Sequence, residues 1–241
     1  MDSQNEVMYD ADMKVFWLKV GQAFLFPVKE PVFNFSESKT VDFIESYYCM
    51  HYIPKEGDVI IDIGAGIGTE ALYFSRKIGA NGVLLSVEAS LESFNLLSAL
   101  CDKNGLTNTI NVHAAISDQE GTLWMEETEE YQLNKVNTEK QGIEVRAITL
   151  NTLVKEHNLS RVDLLKVNIE GAEFEMIEGM SEMVGMVNNV AISCHDFLFD
   201  NKPIKARVID YLTQHGFEVV EKQTGRTVED SWVYGKREPK T

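Results

Sequence analysis

Six polar side chains stand at or just beyond the ends of short apolar runs: Asp62, Glu88, Ser117, Asn168, Glu170 and His195. Open α/β sheets bind ligands at the carboxyl ends of their strands, so residues in such places are expected around one crevice. Two of them have the chemistry of a general base. His195 titrates naturally near neutrality, and the carboxylate of Glu170 can accept a proton; Glu173 and Asp196 stand behind them. The competing structural readings are a histidine satisfied in the core and an acid favoured near a helix N-terminus, just before Gly171. Lys166 lies inside an apolar run and is expected to be partly buried. It would either pair with Glu170, Glu88 or Asp62 or orient a substrate carboxylate or hydroxyl. His51 and His113 read as structural. Glu170, Glu173, His195 and Asp196 could together supply metal ligands, but they lack a fixed metal-ligand spacing, so no metal site is assigned.

The strongest local signal is Asp62-Ile63-Gly64-Ala65-Gly66-Ile67-Gly68, which follows a β-branched run and opens a helical pattern. Glycines there let the backbone turn sharply and approach a ligand closely. Glu88 ends the next apolar run, twenty residues past Gly68. A carboxylate in that place accepts hydrogen bonds from the two ribose hydroxyls of an adenosine. One candidate ligand is a dinucleotide, which would make the chain an NAD(P)-dependent oxidoreductase. Gly64, Gly66 and Thr69 miss the GxGxxG/A fingerprint. Gly66, Gly68 and Ala71 fit its looser form but leave Gly64 and Ala65 as extra loop and Asp62 unexplained. An acid at that strand end repels a pyrophosphate and suits a ligand carrying an ammonium and a sulfonium, which favours S-adenosylmethionine. Two tyrosine–lysine pairs have dehydrogenase spacing, Tyr73/Lys77 and Tyr131/Lys135, but neither follows a later core strand.

These residues need elements to position them. Residues 59–63, 83–87, 110–116, 163–167 and 190–194 read as buried strands. Helical patterns over 69–78, 91–103, 153–157, 172–180 and 204–215 alternate with them, which is the signature of βαβ units and a mostly parallel sheet. Residues 217–220 and 232–234 are two last strands with about ten turn-like residues between them, too few for a crossover, so they are expected to be antiparallel. Residues 122–126 and 143–147 read as strands around a polar, exposed hairpin loop at 127–141. Before Pro54 the pattern is harder to read. Residues 15–20 and 23–28 are apolar, and Ser36 to Thr40 is a helix-start signal. The expected organisation is an N-terminal helical arm or lid over 1–54 and a cofactor-binding domain over 55–241.

The chain has 241 residues, 44% of them hydrophobic, enough for one full core. Its formal net charge of -16 makes phosphate backbones and anionic membranes poor partners. Cys49, Cys101 and Cys194 form no CxxC and read as free thiols in a reducing compartment. The acidic, polar start is unlike a signal peptide, and no run approaches eighteen apolar residues. The expectation is therefore a cytoplasmic protein acting on a small-molecule acceptor, with a homo-oligomer left open.

Five segments together resemble the FkbM-type methyltransferases. They are the Asp62–Gly68 block, Glu88-Ala89-Ser90, Ala114-Ala115-Ile116-Ser117-Asp118, Ile148-Thr149-Leu150-Asn151-Thr152-Leu153, and the run from Asp163 through Lys166, Asn168 and Glu170 to Glu173. The resemblance runs over about 57–195 and is most specific at 166–173. It implies a Rossmann-like, seven-stranded class I methyltransferase fold, with a mostly parallel sheet, an antiparallel last strand and a small inserted hairpin. It also implies S-adenosylmethionine as cofactor and O-methylation of a small molecule such as a sugar or polyketide. Carried onto this sequence, Gly64, Ala65, Gly66 and Gly68 would hold the methionine part of the cofactor. Glu88, followed by Ala89, would hold the ribose, and Ala115, Ile116 and Ser117 would flank the adenine. Asn168 would sit beside the reacting methyl. The family usually has Asp there, and an amide neither takes a proton nor binds a hard cation as a carboxylate does. That substitution argues against a base at this position and is the one sequence argument for a catalytically silent cofactor-binding module.

Overall fold

The computed structural model describes residues 5–126, 135–137, 142–198 and 203–237. Seven strands form the main sheet: β4 (Val59–Ile63), β5 (Val83–Glu88), β6 (Thr109–His113), β11 (Val162–Val167), β12 (Val187–Ser193), β13 (Glu218–Glu221) and β14 (Trp232–Lys236). Their order is β13-β14-β12-β11-β4-β5-β6, and β14 alone runs against its neighbours. The expected parallel sheet with a reversed last strand is thus present.

The two faces of the sheet differ in what covers them. Ile61, Ile63, Leu85, Val87, Leu165, Val167 and Ile192 point into the larger core, toward α4 (Leu150–Glu156), α5 (Glu173–Glu178) and α6 (Ile204–Gln214). Ile60, Leu84, Leu164 and Ala191 face α1 (Glu37–Tyr47), α2 (Ala71–Ile78) and α3 (Leu91–Lys103). Strands buried on both faces have no room for polar alternation, which is why they read as continuous apolar runs. The helices start on side-chain caps: the hydroxyls of Ser36, Ser90 and Thr149 accept from the backbone N–H of Lys39, Ser93 and Thr152.

The N-terminal segment is not the helical arm expected from its sequence. β1 (Asn5–Asp10), β2 (Val15–Val20) and β3 (Ala23–Val28) form an antiparallel meander, and only α1 follows as helix. In β3, Ala23, Leu25 and Pro27 are buried while Phe24, Phe26 and Val28 are half-buried. The period of two was hidden because both faces carry apolar side chains. Val15 and Trp17 pack on Ile67, Leu96 and Leu100, and Leu25 packs with Leu72.

Two further expectations are corrected. The third strand ends at His113. Ala115 and Ile116 form a separate strand, β7, which pairs parallel to β10 (Ile143–Ile148) in a second sheet. β8 (Gly121–Glu126) runs antiparallel to β10, as the hairpin reading requires, but Lys135–Asn137, expected as loop, form strand β9 against β8. The remainder of that polar stretch lies outside the described residues. Between β13 and β14 the chain makes one short helix, α7 (Thr227–Asp230).

Candidate active site

The glycine turn begins where β4 meets its two neighbours. Parallel register sets Asp62 directly beside Lys166 of β11 on one side and Ser86 of β5 on the other. Side chains in one register row share a face of the sheet. Below this row the face is apolar; at the row itself it turns polar. Lys166 Nζ stands 2.8 Å from Asp62 Oδ1 and donates to the Gly64 carbonyl at 3.0 Å. Tyr48, at the end of α1, places its ring 5.3 Å from the same ammonium. Both charged side chains are buried, Lys166 and Asp62 each at 1% exposure. Burial pulls Lys166 toward its neutral form, but the carboxylates of Asp62 and Glu70 outweigh it and hold it above the ordinary lysine value. The Asp62–Lys166 contact is an ion pair without hydrogen-bond alignment, and among the described residues neither Asp62 oxygen accepts an aligned hydrogen bond.

The turn is shaped by close approaches. Gly64 has φ +70, and a Cβ there would lie 1.9 Å from the Asn168 carbonyl oxygen. Asn168, half-buried at the tip of β11, donates its N–H to the Ile63 carbonyl at 3.0 Å. Gly64 and Ala65 both donate to Val87 O. Gly66 N donates to Glu88 Oε2 at 2.8 Å, and Ser90 N to Glu88 Oε1 at 2.8 Å. Glu88 therefore ties the glycine turn to the start of α3. Burial raises the Glu88 carboxyl above its ordinary value, and these N–H donors oppose that. Ala89 follows, its carbonyl in contact with His113 Nε2 at 3.0 Å. Gly68, with φ +87, turns toward α3: a Cβ would meet Leu97 and Leu100 side chains at 2.9 Å.

On the other side of Asn168 the chain enters α5 through Glu170 and Gly171, both with positive φ. This turn brings Glu170 and Glu173 to His195, which follows β12. Glu173 Oε1 bonds His195 Nδ1, while Glu170 Oε2 lies 3.5 Å from Nε2. Glu173 is fully buried and also accepts from Gly171 N at 3.1 Å. Ser193 Oγ stands 3.5 Å from His195 Nε2 and 3.2 Å from Ser231 Oγ. Burial alone would lower the imidazole, but the bond to Glu173 and the nearby carboxylates leave it above the ordinary histidine value. Glu170 is the more open member, its side chain 28% exposed against 6% for His195.

Most of the residues expected from sequence fall into two groups. Asp62, Gly64, Ala65, Gly66, Glu88, Ala89 and Asn168 surround the turn; Glu170 and His195 meet each other. Lys166, expected among the catalytic candidates, belongs with the first group. Its ammonium is engaged beneath the turn and has no surface to offer an acceptor. Ala115 and Ile116 are buried in β7. Ser117 is held by Ile148 O at 2.9 Å, and α5 presses so closely that a Cβ on Gly179 would be 2.3 Å from the Ser117 carbonyl. Tyr73, from one of the chance tyrosine–lysine pairs, donates to Glu45 Oε1 at 2.8 Å, and Tyr131 of the other lies outside the described residues. Sequence reasoning gave Glu173 only a secondary place and missed Glu70 and Tyr48. Only the position of Glu173 three residues after Glu170 pointed to it.

The sheet order and the polar turn at the tip of β4 define a class I methyltransferase fold, the α/β architecture of S-adenosylmethionine-dependent enzymes. The methyltransferase FkbM domain model matches residues 62–219, and the chain belongs to that family. It is 29% identical over 143 residues to the hexuronic acid methyltransferase AglP of Haloferax volcanii, covering 58% of this chain and 57% of that one. The chain thus spans little more than half of that relative. Among solved structures it resembles the methyltransferase FkbM of Methylobacillus flagellatus, with TM-score 0.55, 11% identity, 76% of this chain and 44% of that chain covered. It also resembles Aeropyrum pernix fibrillarin in complex with S-adenosyl-L-methionine, with TM-score 0.51, 14% identity, 97% and 99% covered. At such identities the two structures speak for the fold alone.

Proposed function

We propose that the chain transfers the methyl group of S-adenosylmethionine to a hydroxyl or carboxyl oxygen of a small molecule, a sugar acid or a natural product. The observation that carries this reading is the polar turn itself. A buried aspartate with no aligned hydrogen-bond donor, a glycine that leaves no room for a Cβ, and a carboxylate at the tip of β5 fit a cationic adenosine cofactor and not a pyrophosphate. Asp62 and the Gly64–Gly68 turn would hold its amino-acid part and Glu88 its ribose; Ala115, Ile116 and Ser117 would flank its adenine. When bound, the cofactor supplies an already activated methyl group.

The protein's remaining task is to align the acceptor and remove its proton. We assign that second task to His195. Glu173 holds Nδ1, which leaves Nε2 between Ser193 Oγ and the partly exposed Glu170. An acceptor hydroxyl seated there gives its proton to Nε2, and Glu173 and Glu170 stabilise the imidazolium that forms. A carboxylate acceptor needs alignment only. The relative AglP is named for a hexuronic acid, which offers both kinds of oxygen. The strong negative charge disfavours nucleic acid and anionic membrane as partners. Among the described residues no helix is long and apolar enough to cross a membrane. The three cysteines are buried and free, which suits a reducing cytoplasm.

The test is methyl transfer from labelled S-adenosylmethionine to a panel of uronic acids and hydroxylated natural products. His195→Ala should lower turnover on hydroxyl acceptors at least 100-fold, the usual worth of a general base, while leaving S-adenosylhomocysteine affinity nearly intact. Full activity in that variant would overturn the assignment of the base.

A further inference from the structure

The reversed last strand brings a further polar residue toward His195. β14 runs antiparallel to β12, with Ser193 opposite Trp232 and the Cys194 N–H donating to the Ser231 carbonyl at 3.0 Å. Ser231 closes α7, and its hydroxyl donates to the Val228 carbonyl at 2.8 Å, a bond back into the preceding turn. Its oxygen lies 3.2 Å from Ser193 Oγ, which in turn lies 3.5 Å from His195 Nε2. All three side chains are buried. A hydroxyl carries one proton and two lone pairs. The proton of Ser231 is committed to Val228 O, so toward Ser193 it can only accept. Ser193 then donates to Ser231, and a lone pair is what it turns to His195. That lone pair can receive an N–H at Nε2 and cannot bond a bare ring nitrogen. At Nδ1 the ring meets Glu173 Oε1, an oxygen that also accepts from Gly171 N. Both ring nitrogens therefore face acceptors, the arrangement that suits an imidazolium.

We propose that Ser231 is a positioning residue for His195: held on Val228 O, it turns the Ser193 hydroxyl so that its oxygen receives the Nε2 proton of the imidazolium. This rests on the reading of His195 as the base. When an acceptor hydroxyl gives up its proton, the imidazolium that forms is held at both nitrogens, by Glu173 and by Ser193. To bond the neutral ring the chain would have to reverse, with Ser193 donating to Nε2 and Ser231 to Ser193, and Val228 O would give up its hydroxyl partner. Ser231 opposes that reversal, so Ser193 does not cap the Nε2 lone pair and leaves it open to the acceptor. The charged groups around the ring act in the same direction: the carboxylates of Glu173, Glu170 and Asp196 all favour the imidazolium. Lys205 of α6 donates its backbone N–H to Asp196, and its ammonium pairs with Glu221 at 2.6 Å. Burial pushes the Cys194 thiol up and keeps it neutral, and Phe197 adds only an uncharged ring.

The experiment is NMR titration of the His195 ring in the intact protein, its signal identified as the one absent from His195→Ala. Ser231→Ala frees the Ser193 proton to turn toward Nε2 and should lower the His195 pKa by about one unit, the worth of one net hydrogen bond. Ser193→Ala removes the acceptor at Nε2 and should lower it too. Because Ser231 acts only through Ser193, adding Ser231→Ala to Ser193→Ala should produce no further shift. An unchanged or raised pKa in Ser231→Ala overturns the proposal. So do additive shifts in the double variant, which would mark two separate structural disturbances. If Ser231→Ala does not fold, Ser193→Ala decides by itself, and an unchanged or raised pKa there overturns the proposal as well. Methyl-transfer assays keep this apart from the base assignment. In Ser231→Ala the pH at which turnover climbs should fall together with the pKa. A lowered pKa with an unmoved turnover profile would sink His195 as the base and leave the hydroxyl chain standing.

Discussion

Glu88 accepts from Gly66 N on one carboxylate oxygen and from Ser90 N on the other, so the side chain that we propose holds the ribose also shapes the turn. Glu88→Ala should weaken S-adenosylhomocysteine binding by about 1–3 kcal/mol, the scale of charge-assisted hydrogen bonds. Equilibrium titration reads it, and unchanged affinity in a folded protein would remove Glu88 from the site. His195 makes a pH prediction. Its pKa is raised in the folded chain by the carboxylate of Glu173 against the pull of burial. A base must be unprotonated, so turnover should climb as pH rises through that raised value, and Glu173→Gln should move the climb to lower pH. The pairing also stabilises the fold. That stabilisation is complete below about pH 6.5, the unperturbed histidine value, and fades as pH rises through the folded pKa. The melting-temperature gap between native protein and Glu173→Gln should shrink from pH 6 to pH 9; a gap that widens would show that the pair is not an imidazolium–carboxylate.

The tips of the strands were legible because chemistry and pattern coincide there. The apolar run before Asp62 and the glycines after it can be read in one line of sequence. What could not be read is which tips touch. Register, not sequence distance, sets Lys166 beside Asp62, and a one-residue slip would have put it on the opposite face. The positive φ of Glu170 and Gly171, which turns Glu173 back onto His195, likewise left no trace beyond the glycine. Gly64→Ala tests how tightly the turn depends on this packing. Backbone strain alone costs on the order of 1–3 kcal/mol, and the clash with Asn168 O must be relieved as well. Both melting temperature and cofactor affinity should fall. The meander was misread because β3 is apolar on both faces, and its anchor gives a separate check. Trp17 is 1% exposed and donates its indole N–H to Asp10 Oδ2 at 3.0 Å. Trp17→Ala should cost about 3–5 kcal/mol, and a loss below about 1 kcal/mol would mean the meander is not part of the cooperative core.

For the molecule as a whole, the alternation of strands and helices dictated the parallel sheet, and the short link before β14 dictated its reversal. Charge acts on the same scale. A net charge of -16 repels itself as well as polyanions. Raising sodium chloride from low to moderate concentration should therefore raise the melting temperature, and a fall would show that ion pairs such as Arg146–Glu156 outweigh the repulsion. The proposed function depends on S-adenosylmethionine as the cofactor. It is tested most directly by titrating the protein with S-adenosylhomocysteine and, in parallel, with NADH. The first should bind saturably, and more weakly in Glu88→Ala, and the second should not bind. Binding of NADH alone would contradict it.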